Sequence, residues 1–186
     1  MALRGDLEAV EFLLQNGAHV DKVGNDNVTP LFGCLKMPKD LIYIAETLLK
    51  HGANINYPCG ESEQTVLHHA VYREKPKIVE FLLKHGADVN ALECDERTPL
   101  YLATIYNKVE IVKSLLINGA NPNIQDIDEE ITPFFCAHRK TLKIFFDYAI
   151  DLNLNIRNFE GNTAFEYALT DKELETIKMN AYHLNF

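Results

Sequence analysis

Basic residues are in short supply here: 18 Lys and Arg face 27 Asp and Glu over 186 residues, for a net charge of −9. That balance argues against sequence-independent nucleic-acid binding, which needs a basic surface to displace counterions from the phosphate backbone. No apolar run approaches the roughly 18 residues of a membrane span. The stretch from Met1 to Gly17 interrupts its apolar residues with Asp6, Glu8 and Glu11. That is the pattern of an amphipathic helix, not the unbroken apolar segment of a secretion signal. Cysteine is sparse too. Cys34, Cys59, Cys94 and Cys136 stand singly, with no Cys-x-x-Cys pair, and 47% of the chain is hydrophobic. A chain of this length and apolar content does not need disulfide staples, so free thiols in a reducing compartment are expected. The expected location is the cytoplasm or nucleus.

Signatures of catalysis are also missing. The sequence holds no Gly-rich phosphate loop, no Gly-x-Ser-x-Gly and no His-Glu-x-x-His, each of which carries a specific mechanism. Its seven histidines and four cysteines show no structural zinc spacing. His51 and His85 each precede a glycine, where a donor side chain meets exposed helix-terminal carbonyls. His68 and His69 are neighbours, so on a helix their rings point in different directions. The many acids are expected on exposed faces and turns, whereas paired catalytic carboxylates need a pocket. The reading is a non-enzyme without metal or cofactor.

What is present is repetition, which decides a fold before local structure does. Leu-Leu-Lys-His-Gly-Ala-Asn-Ile-Asn fills 48–56, Leu-Leu-Lys-His-Gly-Ala-Asp-Val-Asn fills 82–90, and Leu-Leu-Ile-Asn-Gly-Ala-Asn-Pro-Asn fills 115–123. A variant, Leu-Leu-Gln-Asn-Gly-Ala-His-Val-Asp, fills 13–21. Gly17, Gly52, Gly86 and Gly119 are spaced 35, 34 and 33 residues apart. A second phrase begins at Thr29, Thr65, Thr98, Thr132 and Thr163, spaced 36, 33, 34 and 31 apart. Thr followed by Pro is a helix start: the hydroxyl caps orphan amides, and proline has no N–H to satisfy. Pro99 to Thr104 then reads as a short first helix. Val109 to Ile117 reads as a second, with Val109, Ile111, Val112, Leu115 and Leu116 on a broad apolar face. Gly119 ends it in the left-handed conformation. Polar, turn-rich segments such as Asn90 to Arg97 connect successive pairs. One helix pair cannot bury its own apolar faces, so neighbours must stack; Leu83 is expected in that stacked core.

With its Thr-Pro-Leu phrases, His68 and a period near 33, the chain resembles the ankyrin-repeat family. The resemblance implies an all-α solenoid of stacked helix-turn-helix units with β-hairpin or turn fingers, five to six repeats including caps. The whole chain reads as one domain: a partial repeat at 2–24, repeats at 25–57, 58–91 and 92–124, a degenerate repeat at 125–157, and a C-terminal cap at 158–186. Only one repeat keeps the signature histidine; Phe32, Tyr101, Phe135 and Glu166 stand elsewhere. Lys36 to Tyr43 contains an insertion with Pro38, which predicts a longer inter-helix loop. The fifth repeat replaces Gly-Ala by Ile150-Asp151-Leu152-Asn153-Leu154-Asn155, leaving its second-helix register open. The first repeat begins almost at its second helix, which favours a chain cut from a longer protein.

In this family, partners commonly lie along a concave face of hairpin tips and first helices. Carried over repeat by repeat, the groove ends of the first helices are Lys36 and Met37, Tyr72 and Arg73, Ile105 and Tyr106, and Arg139 and Lys140. Aromatic and Arg residues are what interface centres favour. The hairpins add Leu92, Cys94, Asp95, Arg97, Gln125, Ile127, Asp128 and Ile131. Acids concentrate there: Asp26, Glu61, Glu63, Glu93, Glu96, Asp126, Glu129, Glu130 and Glu160. The inter-helix loops are basic, with Lys39, Lys75, Lys108 and Lys140. An acidic edge would steer a basic segment of a partner.

The expected function is a monomeric scaffold, adaptor or inhibitor that binds a protein through the groove, with no nucleic-acid partner and no membrane insertion. The alternatives are a targeting domain of a larger enzyme, channel or ubiquitin-ligase receptor, or a short protein similar to the inhibitors of NF-κB. The resemblance also implies a modification. Some members are hydroxylated at a hairpin asparagine eight residues after a leucine, and here Asn56, Asn90 and Asn123 follow Leu48, Leu82 and Leu115.

Overall fold

Threonine at a helix start and a side-chain donor at a helix end account for most of the local structure. The computed structural model describes residues 6–24, 26–37 and 41–170. The expectations placed on Pro38 and Lys39, and on positions 171–186 of the terminal cap, lie outside them. The chain divides into two compact units, Met1–Cys94 and Asp95–Phe186.

The first unit holds α1 (Leu7–Gln15), α2 (Pro30–Lys36), α3 (Ile42–Lys50), α4 (Val66–Tyr72) and α5 (Pro76–Lys84). First helices pack on first helices and on their own partners: α2 meets α3 and α4, and α4 meets α5, while α1 lies on α3. Leu31, Leu35, Ile44, Leu48, Leu67, Val71, Val79 and Leu82 form the core. Leu83 is only half-buried, contrary to expectation. Its neighbour Leu82, fully buried, carries the core position of that pair.

The second unit holds α6 (Pro99–Ile105), α7 (Val109–Ile117), a 3-10 turn (Pro133–Cys136), α8 (Arg139–Tyr148) and α9 (Ala164–Thr170). Here α6 packs on α7 and on the 3-10 turn, α7 on α8, and α9 on the 3-10 turn. Leu100, Ala103, Ile111, Val112, Leu115 and Phe145 make its core. Both units are all-α with helix pairs stacked in sequence order. Among the described residues the fingers contain no strand, only the single bridges Cys59–Gln64 and Arg157–Thr163.

Thr29 and Thr98 accept from the amides of Phe32 and Tyr101, and Thr65 forms a capping box with His68. Asn16, His51, His85 and Asn118 stand one residue before a repeat glycine. Each donates back to the carbonyl four residues earlier, from Asn16 Nδ2 (2.7 Å), His51 Nδ1 (2.9 Å), His85 Nδ1 (2.8 Å) and Asn118 Nδ2 (2.8 Å). A carbonyl only accepts, so both histidines carry the proton on Nδ1. Asn and His alternate at this position because either supplies a donor to an orphan carbonyl. The next residue, for example Gly86 at φ +84°, turns left-handed, where a side chain would be strained.

In the degenerate repeat, burial of Thr141, Leu142 and Phe145 sets the register of α8. Phe134 meets Phe145 and Phe146 edge-on, and Asp151 takes the left-handed turn at φ 57°. The finger turn itself survives: Asn155 N donates to Asn153 Oδ1 as Asn56, Asn90 and Asn123 do to Asn54, Asp88 and Asn121.

Candidate partner-binding surface

The first helices bury nearly every residue until their last turn. In α6, Leu100 to Thr104 are all buried, and then Ile105 and Tyr106 emerge at 39% and 43% exposure. Tyr106 caps α6 and donates its amide to Leu102 O, so its side chain leaves the helix where burial becomes partial. In α4 the position of Ile105 is held by Tyr72, 56% exposed, and that of Tyr106 by exposed Arg73. Met37, after α2, is half-buried.

Arg139 and Lys140 are exposed but do not end a first helix. They open α8, because the first helix of that repeat contracts to four residues.

On the fingers, Leu92, Cys94 and Ile127 are exposed, whereas Ile131 is buried and leaves the candidate surface. The acids divide in two groups. Asp26, Glu61, Glu63, Glu96, Glu129, Glu130 and Glu160 are exposed, while Glu93 and Asp126 are buried, against the expectation that all lie in solvent. Glu93 accepts from Cys94 Sγ at 3.4 Å. Asp126 accepts from the Tyr101 hydroxyl (2.8 Å) and the Ile131 amide (3.0 Å). A buried carboxylate with several donors is stable where a bare one is not.

Asp95 and Asp128, expected as a free steering rim, are instead held by Arg97 at 3.1 and 2.6 Å, and Asp126 lies 3.8 Å from the same guanidinium. The clue in the sequence was the recurrence of Asp at 95 and 128 around one Arg. Gln125 donates to the carbonyls of Glu130 and Arg157, which makes it a finger brace.

The candidate asparagines are stitches between repeats. Asn56 Oδ1 accepts from Asp88 N at 2.8 Å, as Asp21 accepts from Asn54 N at 2.9 Å. Asn123 accepts from Asn153 N (2.9 Å) and donates to Asp151 O (2.8 Å). Asn90 is half-buried in the same turn.

Lys75, expected as one of the basic inter-helix loop residues, lies close to His69, which the sequence does not mark as a surface determinant. The His69 ring lies 5.1 Å from that of Phe32, and its Nε2 is buried without a hydrogen-bond partner. Burial, then the charges of Lys36, Arg73 and Lys75, hold its pKa below the ordinary histidine value. The signal available was basic residues at the ends of α2 and α4.

All four cysteines are free thiols. No helix among the described residues is long and apolar enough to cross a membrane. Residues 44–126 match the family described as ankyrin repeats, in three copies. These residues are ankyrin repeats. No curated protein matches the chain.

Proposed function

We propose that this chain is a protein-binding module, not an enzyme, and that the ends of its first helices contact the partner. Ankyrin repeats are generally protein-binding modules, and one observation carries the finer reading. Ile105 and Tyr106 form an exposed apolar and aromatic pair at the end of a helix whose preceding five residues are all buried. Large, partly exposed apolar and aromatic side chains are what interface centres use. Met37, Tyr72, Arg73 and Arg139 extend this reading along the chain, and Leu92, Cys94 and Ile127 extend it on the fingers. Exposed Glu61, Glu63, Glu96, Glu129 and Glu130 support an acidic finger edge that attracts a basic stretch of the partner.

A monomer in the cytoplasm or nucleus, acting as scaffold, adaptor or inhibitor, fits four free thiols and a net charge of −9. Hydroxylation of Asn56, Asn90 or Asn123 belongs to the same reading, and mass spectrometry of protein from a eukaryotic source would detect the added oxygen. The deciding experiment is affinity capture from source cells with the wild type beside Tyr106→Ala. A partner retained equally by both proteins removes the Ile105–Tyr106 contact from the proposal.

A further inference from the structure

In a chain with half again as many acids as bases, one face of the first unit gathers cations instead. Lys36, exposed, is the last residue of α2, and Arg73, exposed, caps α4. Helices α2 and α4 pack together. Lys75 reaches across to the end of α2, its Nζ donating to Met37 O at 3.2 Å and Leu35 O at 3.5 Å. The three charges converge on His69, and all three act on it in the same direction. Among the described residues, no carboxylate forms an ion pair with Lys36 or Arg73.

Part of this arrangement serves the helix. Lys36 and Lys75 both suit the negative C-terminal end of α2. Arg73, at the C-cap, suits the end of α4 in the same way, yet it also adds a third like charge around the same histidine. Like charges gathered in one place repel unless an anion joins them.

We propose that the face formed by Lys36, Tyr72, Arg73 and Lys75 docks an acidic segment of a partner protein. The proposal rests on the protein-binding reading above and adds the chemistry of one partner segment. The guanidinium of Arg73 can take a carboxylate through two parallel hydrogen bonds. Tyr72, more than half exposed between these cations, offers the aromatic surface that anchors a peptide. Nucleic acid is the weaker fit, because three cations on a chain of net charge −9 give little counterion release.

The test uses the full chain and fluorescein-labelled peptides in which tyrosine alternates with glutamate, lysine or glycine. The glutamate peptide binds by anisotropy, more weakly as salt is raised, and Lys36→Glu with Arg73→Glu lowers its affinity about tenfold or more. Lys50→Glu, exposed at the end of α3, leaves binding unchanged. The glutamate peptide also raises the pKa of His69 followed by NMR, because bound carboxylates offset the surrounding cations. Both reversed positions are exposed, and circular dichroism verifies that the variant is folded.

The proposal is overturned if the glutamate peptide does not bind, or if the lysine or glycine peptide binds as well. Charge reversal without effect, an unmoved His69 titration, or tighter binding of a single-stranded oligonucleotide also overturns it. Failure of the glutamate peptide while Tyr106→Ala still cuts capture of a cellular partner sinks this inference and leaves the protein-binding reading standing. The converse pattern sinks the Ile105–Tyr106 contact alone.

Discussion

Tyr101 donates its phenolic hydrogen to Asp126 Oδ2 at 2.8 Å, and both residues are buried. Tyr101 occupies the position where His68 closes its capping box with Thr65. The second unit therefore keeps the Thr98 cap and replaces only the reciprocal side-chain half of the box with a tie from α6 to the next finger. Asp126 turns its other oxygen to the Ile131 amide at 3.0 Å, and Arg97 covers the Tyr101 ring with its carbon Cζ 5.7 Å from the centroid. Burial, then the neighbouring Cys136 and Asp126, holds the Tyr101 hydroxyl well above its ordinary range. It stays a donor at every ordinary pH.

Tyr101→Phe removes the donor and keeps the ring. Asp126 then loses one of its buried partners, so the second unit is destabilised by about 1–3 kcal/mol in urea melts. Amide exchange in α6 and in the finger at 125–131 accelerates together. A loss below about 0.5 kcal/mol would mean that water replaces the phenol without cost.

The half-burial of Leu83 gives a paired test of the first unit's core. Leu82→Ala costs about 2–5 kcal/mol, as deletion of a fully buried leucine does. Leu83→Ala costs distinctly less, because part of that side chain already meets water. Equal losses in parallel melts would contradict the assignment of Leu82 to the inner face of α5.

The period of Gly and Thr made the helix pairs legible, because each marks a backbone requirement that recurs in every repeat. Gly86 must turn left-handed and Thr98 must cap, so the residue type reports the geometry. Leu82 and Leu83 were harder to separate, since adjacent leucines both fit a broad apolar stripe and only packing says which one faces inward. The fifth repeat was illegible at α8 because Asp151 does the work of glycine and a 3-10 turn replaces a helix. The finger acids misled for another reason. Asp126 and Glu93 look like solvated charges in sequence, and burial depends on donors such as Tyr101 that lie 25 residues away.

Thiol chemistry separates the four cysteines. Burial pushes Cys34 up to about 12, and burial again dominates at Cys136, also pushed up to about 12. The thiolate is the nucleophile, so neither reacts readily near neutral pH. Cys94, exposed, is alkylated first by iodoacetamide, at a rate at least about tenfold above Cys34 or Cys136. Peptide mapping over time reads the order, and early labelling of Cys34 would contradict its burial.

Tyr106→Ala separates binding from folding. The side chain is 43% exposed, so its loss costs less than about 1 kcal/mol of stability while partner affinity falls by about 2 kcal/mol or more. The finger acids need different variants. Reversing Asp95 or Asp128 also breaks their pairs with Arg97, which confounds a steering test. Glu61→Lys and Glu129→Lys, both at exposed positions, slow association with a basic partner and leave dissociation nearly unchanged. An unfolded Tyr106→Ala protein would return that tyrosine to the core.

His69 gives the first unit a pH dependence of known sign. Its pKa lies below 6.5 in the folded protein, first because the ring is desolvated and then because Lys36, Arg73 and Lys75 oppose its protonation. These cations lie at the ends of α2 and α4 and at the start of α5, and all three act in the same sense. Above about pH 6.5 the imidazole is neutral in both folded and unfolded chains, and its contribution is fully present. As pH falls through the unfolded value towards the folded one, the unfolded chain binds the proton first and stability declines. His69→Gln therefore flattens the loss of the first unit's stability as pH falls below 6.5 in urea melts. Lys36→Gln with Arg73→Gln raises the His69 pKa without removing the ring, so the decline becomes shallower and ends at higher pH. If the double variant leaves the NMR titration of His69 where it was, burial alone sets that pKa and the cations do not converge on the ring.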